Sequence, residues 1–187
     1  MRLRRSKLVA GAMGLATAGT IALTAVAAGA TSGTAAITAG TLAFVAAPTT
    51  VAFSATLTGA NQTAPATQVF DVGDATGSGA GWNITATSTT FAGGGHSLAT
   101  SATTIGTAPT VACDASSSCT TATNASTYPY TLPAGTTAPT ATKIYSAALN
   151  TGLGNQSTST TFTLAIPANT YAGSYTSTWT YSLVSAP

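Results

Sequence analysis

The stretch Tyr175-Thr176-Ser177-Thr178-Trp179-Thr180-Tyr181-Ser182-Leu183-Val184 decides the fold. Tyr175, Trp179, Tyr181 and Leu183 fall on one side of an extended chain, and Thr176, Thr178, Thr180 and Ser182 on the other, because successive side chains of a strand point to opposite faces. Alternation with β-branched Thr on the wet face marks a half-buried antiparallel strand. The same period returns in Trp82, Ile84 and Ala86 against Asn83, Thr85 and Thr87, and in Phe162, Leu164 and Ile166. It also appears in Val51, Phe53, Ala55 and Leu57 against Ala52, Ser54, Thr56 and Thr58. Clusters rich in Gly, Pro or Asn at 59–61, 73–81, 93–95, 133–135, 152–155 and 167–173 punctuate the runs. The pattern predicts an all-β antiparallel β-sandwich of about eight short strands, with a thin core centred on aromatic side chains.

Composition narrows the function. Only 4% of the 187 residues are charged, against roughly 25% in an average globular protein. The basic residues are Arg2, Arg4, Arg5, Lys7 and Lys143, the acids are Asp71, Asp74 and Asp114, and there is no Glu. From residue 31 onward one lysine stands against three aspartates, a formal charge of −2. Without a basic cluster nothing neutralises phosphates, so nucleic acid is excluded as a partner. Enzymes need titratable groups held together. His96, the single histidine, sits after Gly93-Gly94-Gly95 with no nucleophile or orienting group placed beside it by the sequence. The expectation is a protein with no catalytic residues, metal or cofactor.

The remaining positive charges have their own meaning. Met1 to Lys7 reads M-R-L-R-R-S-K and is followed by an uncharged run to Ala30 that ends Ala28-Gly29-Ala30. A basic start, an apolar stretch and a small-x-small site make a secretory signal peptide, here helical and assigned to 1–30. The run approaches the ~20 residues that cross a bilayer, but it is mostly Ala, Gly and Thr. The expectation is therefore cleavage, with no membrane contact afterwards and a single domain over 31–187.

Between about 101 and 139 the alternation fades. This region holds both cysteines, in Cys113-Asp-Ala-Ser-Ser-Ser-Cys119, and then Tyr128-Pro129-Tyr130. Two thiols six apart in an exported chain predict a small disulfide loop, and one distant histidine is too little for zinc. The stretch reads as an inserted loop or hairpin. Tyr128 and Tyr130 are its candidate contact residues, because loops carry much of the binding on such folds. Asp71 and Asp74 flank Gly73 before a Gly-rich turn; two carboxylates make no firm Ca²⁺ site, and Asp74 reads as a turn residue.

Two segments resemble a known family. Val72-Gly73-Asp74 leading to Gly81-Trp82-Asn83-Ile84 resembles the V-x-D…G-W-x-L segment of WxL domains, and Tyr175-Thr-Ser-Thr-Trp179-Thr-Tyr181-Ser-Leu183-Val-Ser-Ala-Pro187 resembles their closing motif. The start Gly40-Thr41-Leu42-Ala43-Phe44 and the run Ile166-Pro167…Gly173-Ser174-Tyr175 are similar too. The sequence departs from the pattern at Ile84, where Leu is usual, and at Tyr181, which takes the usual Trp position with Trp179 before it. The resemblance implies a surface protein of Gram-positive-type bacteria, bound non-covalently to the cell wall through peptidoglycan or another wall glycan. It points to Trp82, Ile84, Trp179, Tyr181 and Leu183 as candidate binding residues. Two readings of these residues stand open: an exposed aromatic platform for sugar rings, or core aromatics packed between sheets. The alternative functions are a structural subunit of a surface fibre or layer, and an accessory that binds other surface proteins.

Overall fold

The structure is a computed structural model and describes residues 32–185. The expected leader helix at 1–30 lies outside the described residues. Among the described residues, 37–185 form one compact unit. It contains twelve strands: β1 Leu42–Ala46, β2 Gln62–Asp74, β3 Trp82–Thr89, β4 Ala92–Gly93, β5 His96–Ser97, β6 Thr103–Ile105, β7 Thr110–Cys113, β8 Tyr130–Thr131, β9 Ala134–Gly135, β10 Thr142–Ser146, β11 Gly154–Ile166 and β12 Trp179–Ser185. Among the described residues there is no helix.

The alternating run 175–184 becomes β12, which pairs antiparallel with β3. Their register sets Leu183 opposite Ile84, Tyr181 opposite Ala86 and Ser185 opposite Trp82. Two motifs almost a hundred residues apart in sequence are thus side by side on neighbouring strands. Side chains directly opposite each other are the unit of sheet stabilisation, so each motif is part of the other's surroundings. β10 closes the far side of β3.

The larger sheet has the order β1-β2-β11-β6-β8, with β7 also on β11. Its spine is the thirteen-residue ladder from Gly154↔Asp74 to Ile166↔Gln62. The apolar faces of the two sheets share one core, in which Phe70, Val72 and Phe162 meet Trp82, Ile84 and Tyr145. Edge-to-face contacts tie the sheets together: Phe70 lies 4.9 Å from Tyr181 and Phe162 lies 4.9 Å from Trp179, centroid to centroid. Such pairs add to the burial of their area.

Three of the five buried positions of β11 are polar. Gln156, Thr158 and Thr160 are buried beside Phe162 and Leu164, and Gln68 of β2 is buried with them. Gln156 accepts from the Ala122 amide and Gln68 donates to the Val69 carbonyl.

One expectation needs revising. Val51 to Leu57 alternates like a strand but joins no ladder; Val51 and Phe53 turn partly inward while Ala55 and Leu57 are exposed. Alternation records which side chains are buried and not whether a neighbouring backbone is present to pair with. The region 101–139, read as an inserted loop or hairpin, supplies β6 to β9. It also sends Ile105, Ala122 and Leu132 into the shared core, as single apolar residues too widely spaced to show a period.

Candidate functional site: an aromatic hollow beside the closing motif

Trp82 is fully enclosed. Its ring stacks on Tyr145 at 5.3 Å, and Nε1 donates to the Gly152 carbonyl at 3.0 Å. Ile84 is likewise fully enclosed. Both lie on the central strand of the smaller sheet, between β10 and β12, where neighbours on both sides and the opposite sheet leave no open face. These two candidates therefore hold the fold and offer no surface to a ligand. Leu183 is half-buried and packs against the same core.

Trp179 and Tyr181 differ: they stand on β12, which ends its sheet, and border open space. Trp179 is half-buried at the centre of an aromatic group, 6.1 Å from Phe53, 6.2 Å from Phe91 and 6.1 Å from Tyr181. Both line a hollow of about 400 Å³ whose other walls include Tyr175, Phe91 and the hydroxyl residues Thr49, Thr50, Thr176 and Ser177. Burial pushes the Tyr181 phenol well above its ordinary pKa, so it stays protonated. Its oxygen lies out of solvent with no hydrogen-bond partner.

A second, larger hollow of about 750 Å³ adjoins the first and shares Val51, Phe91 and Tyr175 with it. It opens between residues 51–57 and 170–175 over Leu98, Leu164 and Ile166. No Lys, Arg, Asp or Glu lines either hollow. At its rim Tyr171 is 64% exposed and stacks on His96, with centroids 3.8 Å apart and planes 8° apart. His96 gets there through the tight β4–β5 hairpin. The turn residues Gly94 (φ 58°) and Gly95 (φ 80°) have the positive φ that a two-residue turn of this hand requires. The glycine run announced that turn in the sequence; the stack with Tyr171 had no local signal.

The remaining candidates line neither hollow. The Tyr128 hydroxyl donates to the Ile144 carbonyl at 2.6 Å and accepts from Asn124 Nδ2, and the Tyr130 hydroxyl meets Thr142 Oγ1. These bonds pin both rings to β10 and its approach. Cys113 and Cys119 are joined in a disulfide with Cα atoms 5.6 Å apart. Asp74 accepts from the Thr76 amide and hydroxyl and closes the turn before Trp82.

Asp71 and Asp114 come together on the larger sheet, and Ser157 donates to Asp114. Burial first, then the charge and hydrogen bond of Asp114, raise the Asp71 carboxyl above the ordinary carboxylate range.

Comparison with known proteins adds one match. The family model for the WxL domain, described as surface cell wall-binding, fits residues 13–187. No curated protein and no solved structure gives a significant match. The match takes in both motifs that meet on β3 and β12, together with the strands that enclose them, and so this chain belongs to the WxL family of surface cell wall-binding domains.

Proposed function

We propose that the chain is exported by its N-terminal leader, folds as a two-layer β-sandwich on a Gram-positive-type cell, and holds peptidoglycan non-covalently. The glycan sits in the hollow walled by Trp179, Tyr181 and Tyr175. The observation that carries this reading is the lining itself: aromatic faces beside Thr49, Thr50, Thr176 and Ser177, with no charge. Sugar rings present C–H faces that pack on aromatic rings, and hydroxyl and acetamido groups that exchange hydrogen bonds with Ser and Thr. An uncharged site binds neutral sugars without the salt dependence of an ionic contact.

Co-sedimentation with purified sacculi tests the reading. The wild-type chain is expected to be enriched over a Thr-rich control domain. The double substitution Tyr175→Ala with Thr176→Val is expected to weaken binding about tenfold, ~1.4 kcal/mol, with far-ultraviolet circular dichroism unchanged. No enrichment of the wild type, or equal binding by the double variant, would discard this site.

A further inference from the structure

We propose that the larger hollow is an acceptor cleft for the N-terminal arm of a second copy of this chain, which would join copies head to tail. The cleft exists because the long ladder ends. The last β2–β11 pair is Gln62↔Ile166; just beyond it the Ala168 amide still donates to Asn61 Oδ1, and past that link the segments 51–57 and 170–175 form the walls of the cleft. No backbone–backbone hydrogen bond forms from 51–57 or from 171–175. The 51–57 wall thus keeps its N–H groups free and every carbonyl but that of Thr56, which accepts from Gln62 Nε2; the facing wall bends at Ala172-Gly173, and its Tyr171 carbonyl accepts from the Tyr175 hydroxyl. The floor is a satellite core of three buried residues, Leu98, Ala102 and Leu164, flanked by the half-buried Ile166 and Phe53. A free backbone wall over an apolar floor is what strand addition uses: main-chain hydrogen bonds hold an extended segment and alternate side chains fill the floor.

The chain also presents a matching segment. Residues 32–40, Ser-Gly-Thr-Ala-Ala-Ile-Thr-Ala-Gly, are exposed throughout and belong to no strand. Ala35, Ile37 and Ala39 alternate with Thr34, Ala36 and Thr38, and Ile37 is 95% exposed. Neither the arm nor the cleft carries a charge, so nothing repels a like copy.

Distance makes the contact intermolecular. The arm leaves the sheet at Gly40, whose amide donates to the Ala75 carbonyl beside the Leu42↔Asp74 pair. The cleft lies past the opposite end of the thirteen-pair ladder. At ~3.3 Å per residue that ladder spans about 40 Å, while the nine-residue arm reaches about 30 Å. An arm at one end and a cleft at the other form a heterologous contact that leaves both ends open for further copies.

Analytical ultracentrifugation of the purified chain tests this, with two surface substitutions. Ile37→Asp spoils the arm. Ser54→Pro spoils the cleft wall by removing an N–H that has no backbone partner, at an exposed extended position. The wild-type chain is expected to form concentration-dependent oligomers, and each variant alone to stay monomeric. An equimolar mixture of the two variants is expected to stop at dimers, since one brings an intact arm and the other an intact cleft. A wild type that stays monomeric to its solubility limit, oligomers that survive either substitution, or a mixture that stays monomeric would overturn the proposal. Both substitutions lie outside the lining of the smaller hollow, and both variants are expected to keep sacculus binding, so failure here leaves the wall-binding reading standing.

Discussion

Trp82 shows how much one side chain carries. Its ring fills the core against Tyr145 and its Nε1 satisfies the Gly152 carbonyl from the far side of the chain. Trp82→Ala is expected to cost about 3–5 kcal/mol, read as a fall in the guanidinium midpoint. Trp82→Phe keeps most of the apolar volume but orphans that carbonyl, so a loss of about 1–3 kcal/mol is expected. Gly152 has φ 85°, and an added Cβ would stand 2.6 Å from Trp82 Nε1. Gly152→Ala should therefore destabilise by strain and by displacing the indole. Asp71 makes the pH prediction. Its carboxyl is raised by burial and by Asp114, so the folded chain binds that proton more tightly than the unfolded one does. Stability should rise as pH falls from neutral through the raised value, and the gain should end near the unfolded value of about 3.9. Asp71→Asn should abolish this gain, and Asp114→Asn should reduce it. A denaturation midpoint that drops on mild acidification would contradict the assignment. At this scale the sequence showed Asp74 as a turn residue, but the meeting of Asp71 with Asp114 comes from strand pairing and had no local signature.

Among the elements, the strands with a sharp two-residue period were legible. β3 and β12 fall on runs whose apolar residues alternate with Thr, Ser and Asn, and β11 does so only from Phe162 to Ile166, its residues 154–161 having polar side chains on both faces. Short strands such as β8 and β9 were not, because two residues cannot display a period. Val51 to Leu57 erred the other way, carrying the period without a partner strand. The Cys113–Cys119 loop is the element whose covalent link the sequence named. It closes a span of six residues, and so small a loop limits what the crosslink takes from the unfolded chain. Cys113→Ser with Cys119→Ser is expected to cost about 2 kcal/mol while the sheets stay intact, which reductant titration during urea unfolding would report. The loop is held by more than sulfur, since the Asp114 amide bonds the Asn155 carbonyl and Thr120 bonds Leu153.

For the molecule as a whole, the core is part polar. Oγ1 of Thr158 and of Thr160 and Nε2 of Gln156 lie out of solvent without partners. Buried polar groups without partners cost stability. Thr160→Val, which keeps shape and removes an orphan hydroxyl, is expected to raise the unfolding midpoint by the equivalent of about 1 kcal/mol. A drop on this substitution would show that the hydroxyl has a partner in solution. By itself the sequence determined the all-β class, the scarcity of charge, the disulfide and the family, because each is written in the order or identity of nearby residues. Only the tertiary structure decided which motif aromatics are walls and which are interior. Trp82 and Tyr181 share the same alternation, and what separates them is which segments come back to cover each: Tyr145 of β10 and Gly152 enclose Trp82, while Tyr181, on the edge strand β12, borders the hollow. Strand order is set by pairing across the whole chain, and a local period carries no record of it.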